Sequence, residues 1–183
     1  VSAHFAESVR IRPGSAAAHY NLGMSLLATG KVAAATEQFQ HSVRIEPGYA
    51  FAHHGLGLAL GLQGQVREAV RHQRLALDHR PDWKPAQVEL AWLLATSIDA
   101  DVRQPAEAVR LAERAAHDSG PTTVRVLDVL AAAVAATGDF GRAVMTIREA
   151  LTLATAEHDE EAAGALRARL NLYLHHEPYI DGR

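Results

Sequence analysis

Histidine is the side chain best suited to hold a metal or move a proton near neutral pH, and this chain has eleven of them. Their spacing argues against a metal centre. Two imidazoles grip one ion from a single helical face when they stand four residues apart. No pair here does, and there is no cysteine to complete a mixed site. His53 and His54 are adjacent, so on a helix they point about 100° apart. His175 and His176 near the end of the chain offer adventitious metal binding at most. The expectation is packing and surface roles for the histidines, with no resident metal.

Other fragments of chemistry are equally thin. GLGLALG, residues 55–61, has the glycine density of a phosphate loop, whose backbone must approach the phosphates closely, but no strand precedes it. Asp99 and Asp101 begin like a calcium loop, yet Arg103 stands where the next ligand belongs. Serine and histidine occur without a nucleophile-elbow sequence, and no carboxylate pair is placed as acid and base. The reading is a chain with no catalytic residues and no cofactor, which binds rather than turns over.

The elements that must carry any binding surface follow from composition and spacing. The chain has 183 residues, 48% apolar but only 5% aromatic, and about a fifth alanine, which favours closely packed helices over sheets. A formal net charge of −3 supplies no basic footprint for nucleic acid or an anionic membrane. Charged or polar residues interrupt every apolar stretch before it reaches a membrane span of eighteen or so residues. The start, VSAHFAESVRIRPG, has no initiator Met and no leader pattern, and reads as the middle of something longer. The end, LRARLNLYLHHEPYIDGR, changes from helical periodicity to a polar tail and reads as a terminus.

An offset of 34 residues aligns Pro13, Pro47 and Pro81, then Gly30 with Gly64, Ala35 with Ala69, His19 with His53, Gly23 with Gly57, and Leu22 with Leu56 and Leu90. A further unit carries the pattern at Leu130, Gly138, Phe140, Ala143, Ile147 and Ala150 in a register displaced by six. Most of the displacement lies between Leu90 and Ala108, where SIDADVRQP enlarges the turn. Each unit reads as two short helices separated by a glycine turn, with small residues letting the axes approach. Such a pair cannot bury its apolar face alone and must stack on its neighbours. The residues fall into a half repeat 1–13, repeats 16–49, 50–83, 84–121 and 122–155, a capping helix 159–176 and a tail 177–183. In the capping helix, Ala163, Leu166, Leu170 and Leu174 share one side, with Glu and Arg opposite.

The 34-residue spacing, the Leu-Gly pair, the Gly turn, the second-helix Ala and the closing Pro resemble the tetratricopeptide repeat. His19, His53, Gln87 and Leu127 stand where that family favours Trp, and Leu26, Leu60, Leu94 and Val134 where it has a later aromatic. The resemblance implies an all-α, α-α superhelix: a right-handed solenoid of antiparallel helix pairs. The stretches AWLLATSIDADVRQPAEAVRLAERAA and VLAAAVAATGDFGRAV also resemble bacterial modules of this family at the C-terminal ends of larger proteins, membrane glycosyltransferases among them.

The resemblance further implies that the first helix of each pair lines a concave surface that touches a ligand. Here those residues are Tyr20, Asn21, Met24, Leu27, Phe51, His54, Leu58, Val88, Glu89, Trp92, Arg125 and Asp128. Aromatic anchors among a few polar groups suit a peptide or protein segment; packing between consecutive first helices is the competing reading. A carboxylate clamp finds only Asn21, with Gly55 and Glu89 at the next equivalents, and one asparagine makes no ladder. Arg67, Arg71, Arg74 and Arg80, with His72 and His79, are expected on the outer face of one second helix. The resulting expectation is a soluble protein-binding scaffold of unknown location, with no nucleic-acid partner and no membrane insertion. Two alternatives stay open: a substrate-recruiting accessory domain of a larger, membrane-attached enzyme such as a glycosyltransferase, and a self-association module forming a homo-oligomer.

Overall fold

The computed structural model describes residues 2–117 and 122–181, with the side chains of residues 2 and 3 left undescribed. The repeat boundary at 121–122, the first residue of the half repeat and the last two of the tail lie outside these residues. Among the described residues there are ten helices and no strand: α1 Ser2–Ile11, α2 Ala16–Leu27, α3 Val32–Ile45, α4 Ala50–Leu62, α5 Val66–His79, α6 Lys84–Thr96, α7 Pro105–His117, α8 Val124–Ala136, α9 Phe140–Ala156 and α10 Glu160–Leu174. They fall into two compact units, residues 1–86 and 87–183.

The turns show why the repeat has its period. Gly30, Gly64 and Gly138 adopt φ of +72°, +73° and +89°, the left-handed region where a Cβ is penalised. In the first two repeats this bend lets Lys31 N–H donate to the Leu26 carbonyl and Gln65 N–H to that of Leu60, at 3.0 and 2.9 Å, a Schellman closure. The third repeat has Ile98 at the glycine's offset. The chain makes an excursion there, braced by Arg103 Nη1 donating to the Ser97 carbonyl at 2.8 Å and Asp101 N–H donating to Asp99 Oδ1 at 3.1 Å. It returns with Gln104 N–H on the Leu94 carbonyl at 2.9 Å. The long turn closes on the same repeat position as the short ones.

Unit 1 is built around one ring. Phe39 of α3 is fully buried, and an added Cβ on Gly23 of α2 or Gly55 of α4 would sit 2.6 Å from its Cε1. The two glycines are therefore the walls of the slot that admits the ring. One repeat later the equivalent of Phe39 is Gln73, also fully buried, and a Cβ on Gly57 would lie 2.6 Å from its Nε2. Ala35, Ala69 and Ala76 complete the second-helix stripe with no exposure.

The histidines in the Trp position brace the turns. His19 Nε2–H donates to the Pro13 carbonyl at 3.0 Å, and His53 Nε2–H to that of Pro47 at 2.9 Å. With that tautomer fixed, Nδ1 of His53 accepts from Nδ1–H of His72 at 2.9 Å, and Nε2 of His72 faces Arg71 Nη2 at 3.3 Å. His72 is thus buried rather than part of an outer basic face, because its ring fills the space beneath His53.

Unit 2 fills the equivalent space with aliphatic and alanine side chains. Val126–Ala135 of α8 is buried throughout, and Ala108, Ala112, Ala143, Ile147 and Ala150 face it from the second helices. Thr123, Asp139 and Asp159 cap α8, α9 and α10 by accepting from Val126, Arg142 and Ala162 N–H. Ala163, Leu166 and Tyr173 are the buried residues that seat α10, whereas Leu174, expected on the same side, is exposed at the helix end. No helix among the described residues is long and apolar enough to cross a membrane.

Candidate binding surfaces of the two units

In unit 1 the first-helix residues Tyr20 and Phe51 meet at 5.8 Å between ring centroids. Two further aromatics join them. Tyr49 lies 5.8 Å from Tyr20, edge to face, and 5.5 Å from Phe51. Trp83 lies 4.8 Å from Phe51 and 4.8 Å from His54. Tyr49 is the N-cap of α4, and Trp83 stands 34 residues later, just before α6. Neither lies on a first-helix face; both share with Ser15, the N-cap of α2, an offset of 34 residues that groups them in the sequence. The Arg80 guanidinium lies over Phe51 at 4.8 Å and Trp83 at 5.4 Å. It belongs to this surface and not to the outer face of α5.

Tyr20, Tyr49, Phe51 and Trp83 are all half-buried, so each ring keeps some of its surface open to solvent. Burial pushes the phenols of Tyr20 and Tyr49 up, so both remain neutral O–H groups. His54 is buried beneath Trp83; its Nδ1–H donates to Gln73 Oε1 at 2.8 Å, and burial holds its pKa below the usual imidazole value. It therefore supports Trp83 from below as a neutral ring. Met24 and Leu58 lie one helical turn beyond Tyr20 and His54 and are half-buried, while Asn21 is exposed. The surface offers ring faces, a guanidinium and amide or phenol hydrogen bonds.

Unit 2 arranges its first-helix residues differently. Trp92 of α6 is only 9% exposed. The Arg125 guanidinium of α8 lies 4.4 Å from its ring centroid and that of Arg169 of α10 lies 5.6 Å away. Arg169 donates through Nε and Nη2 to the two carboxylate oxygens of buried Asp128, both at 2.8 Å. Arg125 bridges Glu89 at 3.9 Å and Asp128 at 3.8 Å. Burial pushes the Asp128 carboxyl up against the pull of Arg169 and Arg125, and burial does the same to Glu89 against Arg125. Arg169, which the sequence places on the polar side of the capping helix, is aimed inward at Asp128.

The tetratricopeptide repeat family model matches residues 16–49. This segment is a tetratricopeptide repeat. The fold of the chain is an all-α helical repeat, as three solved structures illustrate. A thermophilic tetratricopeptide repeat protein of Thermus thermophilus superposes with a TM-score of 0.68 at 20% identity, over 94% of this chain and 88% of that one. YrrB, described as having an unusual peptide-binding site, gives 0.70 at 16% over 92% and 84%. Residues 41 to the end of MamA from Desulfovibrio magneticus give 0.68 at 17% over 85% and 84%. No curated protein matches the sequence.

Proposed function

We infer that this tetratricopeptide repeat domain is a protein-binding scaffold, which holds a peptide or protein segment against its first-helix faces without turnover. The observation that carries the reading is the unit 1 cluster of Tyr20, Tyr49, Phe51 and Trp83, four half-buried rings joined through Phe51, with the Arg80 guanidinium over Phe51 and Trp83. Rigid rings backed by a packed layer lose little entropy on binding and carry a disproportionate share of interface energy. Arg80 adds a cation beside them that stacks or pairs with a carboxylate. The peptide-binding site described for YrrB supports peptide recognition as a use of this fold.

The test is partner capture from the source cell's lysate by the unaltered chain and by a Tyr20→Ala/Phe51→Ala variant whose helicity is intact. Loss of two anchor rings is expected to reduce capture by roughly tenfold or more. Equal capture by both chains would move the binding surface away from these rings.

A further inference from the structure

The segment after α10 does not trail into solvent. His176 takes a left-handed turn at φ +60° and its ring stacks on Phe140 at 5.3 Å with 16° between planes. Residues 177–180 then run without helical structure. Tyr179 packs on Trp92 at 5.6 Å, with the Arg169 guanidinium 5.2 Å from its own ring centroid. Asp181 N–H donates to the Thr96 carbonyl at 2.7 Å, one of the carbonyls that the end of α6 leaves without a helical partner. A non-helical segment of the chain thus lies on a first-helix face, held by one aromatic ring and one main-chain hydrogen bond.

The floor beneath it is built independently of it. Trp92 is flanked by Arg125 and Arg169, and Arg169 is locked by its two-point bond to Asp128. A slot held in this way is ready for another occupant without reorganisation. The tail itself is an imperfect fit. Tyr179 remains half-buried and its hydroxyl reaches Asp181 Oδ1 only at 3.4 Å. The Asp181 carboxylate adds its like charge to the burial that raises the Glu89 carboxyl.

We propose that the Trp92–Arg125–Arg169 slot is a receptor for an extended partner segment bearing an aromatic side chain, and that residues 178–181 occupy it in cis until such a segment displaces them. The proposal rests on the reading of the domain as a scaffold and extends it to unit 2, where the chain regulates access to its own surface.

The experiment is a fluorescence-anisotropy titration with a labelled peptide of residues 175–181. The receptors are the full chain and two full-length tail-release variants, Tyr179→Ala and Asp181→Pro, the second removing the N–H that Thr96 accepts. A tethered tail competes at an effective concentration near millimolar, so the release variants are expected to bind the peptide about tenfold or more tightly than the unaltered chain. Trp92→Leu in the Tyr179→Ala background is expected to abolish binding. Equal affinity of all three chains, or no binding by release variants of unchanged circular dichroism, would show the tail to be a fixed wall and overturn the proposal. A concentration-dependent mass of the unaltered chain, lost in Tyr179→Ala, would make the occupant a second copy's tail and overturn it also. Phe51 takes no part in this readout, so a Phe51→Ala chain with undiminished capture overturns the unit 1 reading and leaves this titration unchanged.

Discussion

Unit 1 and unit 2 begin from the same repeat and reach opposite solutions for the same face. In unit 1 the first-helix side is a run of half-buried rings with one guanidinium above them. In unit 2 the equivalent side is an indole flanked by two guanidiniums, neutralised by buried carboxylates and covered by the chain's own tail. Met24, Leu58 and Trp92 occupy one repeat position, yet only Trp92 is enclosed. The backbone repeat fixes where a side chain stands, whereas the charges around it decide whether the position faces a partner or an internal contact.

The largest expected break in this contrast is Arg169→Ala. It leaves the Asp128 carboxylate buried with only Arg125 at 3.8 Å, and removing one member of a buried pair costs about 3 kcal/mol. Urea denaturation followed at α8–α10 should show the loss in unit 2, with α2–α4 unaffected. Gly55→Ala is the counterpart in unit 1. Its Cβ would enter the Phe39 ring, and overpacking of this kind costs about 2 kcal/mol. Gly164→Ala in α10, with nothing within 4 Å of its Cβ, should instead be neutral or stabilise by about 0.5 kcal/mol through helix propensity. Thermal melts of the two glycine variants compare them directly.

The pH response sharpens the contrast with a smaller effect. Burial depresses His72 to about 4, with Arg71 and His53 adding to the shift. The folded pKa lies below the unfolded value, so the contribution to stability is fully present above about 6.5 and is lost as pH falls from there through about 4. Because the group is only partly shielded, a contribution of about 1–2 kcal/mol is expected. His72→Gln places there the residue type that repeat 1 has at Gln38, whose side-chain amide lies 2.9 Å from His19 Nδ1. Melting curves from pH 7 to 4 should fall more steeply for the unaltered chain than for this variant, and a constant difference between the two would count against the dyad.

The helices and their turns were legible because each repeats a local cause: glycine where φ turns positive, proline where a unit closes, alanine where second helices pack. Tyr20 and Phe51 were legible as groove residues for the same reason. Tyr49 and Trp83 stand just before helices, where the 3.6-residue period says nothing and only the 34-residue offset from Ser15 groups them. Arg169 could not be assigned inward, since a charged residue on an amphipathic helix reads as solvent-facing unless its partner 41 residues away is known. The docking of Tyr179 leaves no trace in the sequence, because an extended segment carries no helical period that points to its receptor.

The Phe39 ring has a consequence for how unit 1 opens. It is gripped from both sides, by Gly23 of one repeat and Gly55 of the next, so neither α2 nor α4 can separate from α3 without expelling it. A nearest-neighbour array ordinarily frays one hairpin at a time. Here the wedge ties three helices together, so their amides are expected to exchange with deuterium as one cooperative unit rather than in sequence.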